Sequence, residues 1–195
     1  MNIISQKNEL RKLYKQKRSE ILSKNRDTIS DKISSNLFSL NEYQKSDIVF
    51  TFIGTHSELA TDKIISRSFS EGKKVAVPVV TDKAHEMIFI EINSDTPLIK
   101  SKMGILEPTP DISKQLTPTP LSVIIVPALA AGRDFYRIGY GGGYYDKFLS
   151  ENIYLSSIVL CTDIQLIGSV PHDEFDIKTD IIITEKEINV NNERK

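Results

Sequence analysis

The sequence predicts a single three-layer α/β domain over residues 1–195, a mostly parallel central sheet with helices on both faces. Three observations carry this expectation. Short apolar runs rich in β-branched residues alternate with stretches of helical periodicity, the order in which parallel sheets are wound. The 195 residues are 39% hydrophobic with a formal net charge of −1, enough for one core and too balanced for a basic nucleic-acid binder. Four of the nine glycines fall between Gly139 and Gly143, after an apolar strand and before a helix start, a strand–loop–helix order that suits anion binding. No apolar run reaches the length of about 18 residues that a membrane span needs. The N-terminus turns polar after Ile3 and Ile4, without the apolar stretch of a secretory signal. The one cysteine, Cys161, excludes a disulfide framework and fits a cytoplasmic protein; in an apolar strand it reads as a buried structural thiol.

In chain order, residues 6–22 read as a helix with Leu10, Leu13, Tyr14 and Ile21 as its apolar stripe. Its other faces carry Lys7, Arg11, Lys12, Lys15, Lys17 and Arg18 against Glu9 and Glu20. Thr28-Ile-Ser-Asp31 has the form of a capping box opening a second helix to about Leu40. Residues 47–53 form a strand, followed by the loop Gly54-Thr-His-Ser-Glu58. Thr61 caps a helix that Gly72 ends. Strands at 74–80 and 87–92 flank a turn at Lys83-Ala-His85, whose histidine reads as a surface residue. Six of the eight prolines lie between Pro97 and Pro127, an irregular connection that Met103-Gly-Ile-Leu-Glu-Pro108 interrupts with apolar residues. A strand at 123–130, a helix from about 142 to 150, a strand at 157–161, the polar loop Pro171-His-Asp-Glu-Phe-Asp176 and a strand at 180–184 complete the domain. The tail from about 186 is polar and reads as frayed.

The chemistry-bearing stretches admit two readings each. A glycine run is either a mobile loop or a place that needs positive φ or close backbone approach. Tyr144-Tyr145-Asp146 directly after the run favour the second, although the pattern matches neither the Walker sequence nor the dinucleotide fingerprint. In that case the loop amides and the free N–H groups of the following helix converge on an anion. Arg137 would add a guanidinium fork, and Asp146 an oxygen ligand for magnesium. The basic helix is either a solvated face or a phosphate contact, since Lys7 and Arg11 at i and i+4 can reach one polyphosphate. Glu58 and Glu107 are either ordinary polar residues or site residues, and Asp176 and Asp180 fit a turn and a strand edge. His56, His85 and His172 lack zinc-ligand spacing.

Val126-Pro-Ala-Leu-Ala130 followed by Arg137-Ile-Gly-Tyr-Gly-Gly-Gly-Tyr-Tyr-Asp146 closely resembles the signature of the 5-formyltetrahydrofolate cyclo-ligase family, also called 5,10-methenyltetrahydrofolate synthetase. The resemblance runs over nearly the whole chain, through Lys7-x-x-x-Arg11, Glu58 after the first strand, Gly104-Ile-x-Glu-Pro108 and Pro171-x(4)-Asp176-x(3)-Asp180. It implies ATP-dependent cyclisation of 5-formyltetrahydrofolate to 5,10-methenyltetrahydrofolate, releasing ADP and phosphate. The implied cofactor is Mg2+ with ATP as co-substrate; the implied partners are small molecules, with neither nucleic acid nor membrane, and the implied state is a monomer. It further implies that Arg137, Lys7 and Tyr144 are catalytic, and that ATP meets Lys7, Arg11, Arg137, Ile138, Gly139, Tyr140, Gly141, Gly142, Gly143, Tyr144 and Tyr145. The folate would contact Arg11, Ile53, Glu58, Glu107, Tyr140, Gly141, Gly142, Gly143 and Tyr144, and Asp146 and Asp176 would hold the magnesium.

The chain departs from the family pattern in two places. Ala131-Gly-Arg-Asp-Phe-Tyr136 lacks the Phe-Asp and the glycine two residues before the arginine that many relatives carry. Gly132 is therefore expected to supply the positive φ of this turn, and Asp134 the missing carboxylate. Phe175 stands where a histidine is common. Two competing functions are a kinase or ligase acting on another small acid, and a non-catalytic nucleotide- or folate-binding protein. The folate-side residues argue against the first through resemblance, and the two magnesium carboxylates against the second.

Overall fold

The structure is a computed structural model that describes residues 2–81, 83, 85–101 and 104–193. Its elements in order are α1 (Ile3–Ser39), α2 (Asn41–Lys45), β1 (Ile48–Phe50), α3 (Asp62–Ser70), β2 (Lys74–Val80), β3 (Met87–Ile92), β4 (Leu98–Lys100), β5 (Leu106–Pro108), β6 (Gln115–Leu116), β7 (Ser122–Pro127), β8 (Ala130–Gly132), β9 (Arg137–Ile138), α4 (Tyr144–Glu151), β10 (Ser156–Leu160), β11 (Leu166–Ile167), β12 (Ile181–Ile183) and β13 (Ile188–Val190). Eight strands form one sheet in the order β13-β12-β10-β7-β1-β2-β3-β6. The inner five are parallel, and antiparallel partners close both edges.

Alternation along the parallel strands divides the core. Val49, Val123, Ile125, Ile158, Leu160, Ile181 and Ile183 face Leu22, Ile29, Ile33 and Leu37 of α1 and Ile64 of α3. Their neighbours Phe50, Ile124, Val126, Val159 and Ile182 face Leu149 and Phe148 of α4. Both faces of the sheet are covered, which is why the inner strands read as unbroken apolar runs. Each fully buried Ile or Val contributes about 1.5–3 kcal/mol of transfer free energy, so these layers fix the frame on which the loops are mounted.

Several expectations change in detail. The two N-terminal helices are one, α1, broken only at Asn25 (φ −135°, ψ 16°). Thr28 lies inside that helix and opens no capping box; Asp31 pairs instead with Lys63 at 2.6 Å. Thr61 precedes α3 without a side-chain cap, because its hydroxyl donates to Phe52 O at 2.6 Å and accepts from Gly54 N at 3.2 Å. Gly72 does end that segment, at φ +74°. The C-terminal tail is not frayed throughout: β13 pairs along β12 from Ile188 to Val190. Within the proline-rich connection β4 and β5 pair antiparallel, while Met103 and Ala84 lie outside the described residues. β8, β9 and β11 form a small second sheet that carries the chain from β7 to the glycine run.

Candidate active site

Arg137 and Ile138 are held in β9 against Ala131 and Ala130 of β8, so the glycine run starts from a fixed backbone. Gly141 lies at φ +99°, and a Cβ there would come within 3.3 Å of the Arg11 guanidinium carbon. A Cβ on Gly142 would fall 2.4 Å from the Tyr144 ring. Both positions therefore need glycine, one for conformation and close approach, the other for room. Gly143, in the left-handed region, leads directly into α4, whose first-turn N–H groups have no partner within the helix.

One side of α1 runs along this loop. Arg11 Nε donates to Gly139 O at 3.0 Å, and its Nη1 to Asn8 at 2.6 Å. One turn earlier, Lys7, only 8% exposed, reaches Asp173 at 2.7 Å and Asp176 at 2.5 Å. Burial alone would lower the Lys7 pKa, but the hydrogen bonds to Asp173 and Asp176 outweigh it and hold the ammonium above its ordinary value. The Lys7 hydrogen bond, followed by the Phe175 N–H, holds Asp173 below its ordinary value. Farther along, Arg18 Nη2 donates to the Tyr140 hydroxyl at 2.9 Å. Arg26 donates to the carbonyls of Glu58, Thr55 and Gly54 at 2.7, 3.1 and 3.3 Å.

Glu58 closes the other side. Its Oε2 accepts from Thr55 N at 3.0 Å and Thr55 Oγ1 at 2.9 Å, and its Oε1 accepts the Tyr140 hydroxyl. Tyr140 thus ties the glycine run to the loop after β1. Burial, then the Glu58 charge, pushes the Tyr140 phenol above its ordinary range. Burial does the same to Tyr145, whose buried hydroxyl has no partner among the described residues.

Arg137 Nη1 donates to Asp146 Oδ1 at 2.9 Å and to Ile177 O at 3.3 Å, and Ile177 N donates to the same Asp146 oxygen at 3.2 Å. The backbone at Ile177 joins Asp146 to the segment carrying Asp176. Among the described residues no group of three His, Cys, Asp or Glu could hold a metal. The donor set still fits magnesium, which takes one or two carboxylates and completes its shell with water and phosphate oxygens. Asp146 and Asp176 each use a single oxygen in their hydrogen bonds within the described chain.

The structure therefore gathers Lys7, Arg11, Glu58, Arg137, Ile138, the 139–143 run, Tyr144, Asp146 and Asp176. Ile53 packs with Val75, Val77 and Ile92 behind the Glu58 loop. Glu107 sits in β5 opposite Ile99, with its pKa raised by burial; it makes no hydrogen bond to the gathered residues. The turn at 131–136 is built differently from expectation. Its positive φ is at Phe135 (+68°). Gly132 instead supplies room, since a Cβ there would meet Asp134 Oδ1 at 2.0 Å. Asp134 Oδ2 accepts from Val170 N at 3.4 Å, and among the described residues it makes no hydrogen bond to the gathered side chains. His85, read as a surface residue, is exposed yet donates from Nδ1 to Gly142 O at 2.6 Å. Arg18, Arg26 and Asp173 are not singled out by sequence, although Lys7, Arg11 and Arg18, spaced by four and seven, share a helical side.

The model of the 5-formyltetrahydrofolate cyclo-ligase family matches residues 3–185. A probable 5-formyltetrahydrofolate cyclo-ligase of Caenorhabditis elegans is 28% identical over 193 residues, 93% of each chain. The Mus musculus 5-formyltetrahydrofolate cyclo-ligase is 26% identical over 195 residues, covering 95% of this chain and 96% of its own. The NMR structure of 5,10-methenyltetrahydrofolate synthetase from Aquifex aeolicus superposes with a TM-score of 0.80 at 28% identity, over 94% of this chain and 92% of that one.

Proposed function

The chain belongs to the 5-formyltetrahydrofolate cyclo-ligase family, and we propose that it uses ATP and magnesium to cyclise 5-formyltetrahydrofolate to 5,10-methenyltetrahydrofolate, releasing ADP and phosphate. The observation that carries this reading is that one loop serves two environments. The glycine run holds Arg11 of α1 through Gly139, follows directly on Arg137 and Ile138 of β9, and reaches the Glu58 carboxylate through Tyr140.

The formyl oxygen is a poor leaving group until it is phosphorylated. Transfer of the γ-phosphoryl group to it forms a P–O bond and breaks the β–γ bridge of ATP. N10 then attacks the activated carbon, its proton is lost, and the oxygen departs with phosphate. Phosphoryl transfer asks for alignment and charge neutralisation more than for a protein nucleophile. Lys7, Arg11 and Arg137 would neutralise the phosphates, and the 139–143 amides would orient them. Asp146 and Asp176 would hold magnesium, which would offset the charge of the phosphates. Glu58 would accept from the ring N–H groups of the folate, and the Tyr140 and Tyr144 rings would stack beside it.

The test is absorbance at the methenyl chromophore when the protein is mixed with 5-formyltetrahydrofolate and Mg-ATP. A rise that requires both ATP and magnesium is expected. A flat trace from folded protein, with ATP hydrolysed on another small acid, would overturn the reading.

A further inference from the structure

We propose that Arg18 is a positioning residue for the folate side of the site, holding Tyr140 and Glu58 in one arrangement; this rests on the function proposed above. Arg18 is 4% exposed, and among the described residues its polar interactions go to these two side chains alone. Nη2 donates to the Tyr140 hydroxyl at 2.9 Å, Nη1 lies 3.7 Å from Glu58 Oε1, and the guanidinium carbon stands 5.7 Å from the Tyr140 ring centroid. Its buried Nε has no partner among the described residues.

A guanidinium is costly to bury, and this one is spent on a single joint. Glu58 Oε2 is already fixed by Thr55, and the loop backbone by Arg26. Among the described residues, Oε1 is met by Tyr140 and Arg18 alone. The Tyr140 hydroxyl donates its one proton to Glu58 while accepting from Arg18, so Arg18 sets the direction of that donation. Without it the phenol is free to swing, and Glu58 loses the orientation that two adjacent ring N–H donors would require. The phosphate side does not depend on this joint, because Arg11 holds Gly139 independently.

The experiment measures direct binding of 5-formyltetrahydrofolate and, separately, of a magnesium complex of a non-hydrolysable ATP analogue, to wild type, Arg18→Met, Tyr140→Phe and the double variant. Arg18→Met and Tyr140→Phe should each weaken folate binding about tenfold or more, the effect of leaving a buried polar partner unpaired. In Arg18→Met, which lies outside the residues assigned to ATP, nucleotide binding should stay within about twofold; folate binding in the double variant should fall no more than about twofold below the weaker single one, because both break the same joint. Wild-type folate affinity in Arg18→Met, equal losses for both ligands, or multiplying effects in the double variant would each overturn the proposal. Should Arg18→Met fail to fold by circular dichroism, Tyr140→Phe decides alone, since that residue is 53% exposed; unchanged folate binding there refutes the joint. Wild-type protein that binds nucleotide but no folate would overturn the proposed function itself, and this inference with it.

Discussion

Replacing Arg137 by Met separates two consequences of one side chain. In the structure its guanidinium spans Asp146 and the Ile177 carbonyl from a side chain only 4% exposed. Removing it leaves Asp146 with the Ile177 N–H as its one donor among the described residues. The loss of a charge-assisted partner costs about 1–3 kcal/mol in a buried setting. Because the Asp146 side chain is 23% exposed, solvent puts the cost toward the lower end, about 1 kcal/mol, a fall of about 2–4 °C in melting temperature for a chain of this size. Activity should suffer more. If Arg137 makes the proposed charge-assisted hydrogen bond to phosphate, its loss should destabilise the transition state by about 2 kcal/mol or more, roughly 30-fold in kcat/KM. The double variant Arg137→Met with Asp146→Asn should recover much of the stability, having no unpaired carboxylate, and none of the rate. Thermal melts and steady-state rates on the three proteins read both quantities. A wild-type kcat/KM in Arg137→Met would refute the phosphate role, and an unchanged melting temperature would refute the ion pair.

Gly142→Ala should fold, because Tyr144 is only partly buried, but its Cβ must push the ring aside; displacement on this scale can cost up to about a hundredfold in rate. Normal kcat/KM would show that the ring position is immaterial. Asp173→Asn tests the Lys7 pair through pH. Asp173 is held below 3.8, so its contribution is present above that value and lost as pH falls through the lower folded pKa. Lys7 is held above 10.5, so its contribution is present below 10.5 and lost as pH rises past the folded value. The variant should therefore melt below wild type from about pH 5 to 9, with the gap closing toward acid. A gap that widens on acidification would contradict the pairing. Glu58→Gln should weaken folate binding about tenfold while leaving nucleotide binding intact; equal losses would count against a folate-side role.

The sheet was legible because its inner strands are apolar on both faces. Ser156–Leu160 and Ser122–Pro127 announce themselves. Ile188–Val190 does not, since an edge strand of three residues with Asn189 at its centre looks like any polar tail. The turn before Arg137 could not be read locally. Phe135 takes φ +68° while its N–H meets Gly132 O and its carbonyl receives Thr179 N, so a distant segment fixes a conformation that a phenylalanine alone disfavours. Within the site, Lys7, Arg11 and the glycine run carried local signals of charge spacing and composition. Arg18 carried only its helical spacing from Lys7 and Arg11, which a solvated face would show as well, and Arg26 carried no signal; their partners, Tyr140 and Glu58, are distant in sequence, and only the fold brings them together.

Because α1 bends at a single residue, Asn25, and is otherwise regular, it works as a ruler. Lys7, Arg11 and Arg18 are set out at about 1.5 Å and 100° per residue from the half packed on the sheet. Inserting one residue between Arg18 and Asn25 would swing all three by about 100° at once, away from Asp176, Gly139 and Tyr140 together. Length in this stretch is therefore constrained more tightly than composition: its exposed positions can drift freely, while a one-residue insertion would dismantle both ends of the site in a single event.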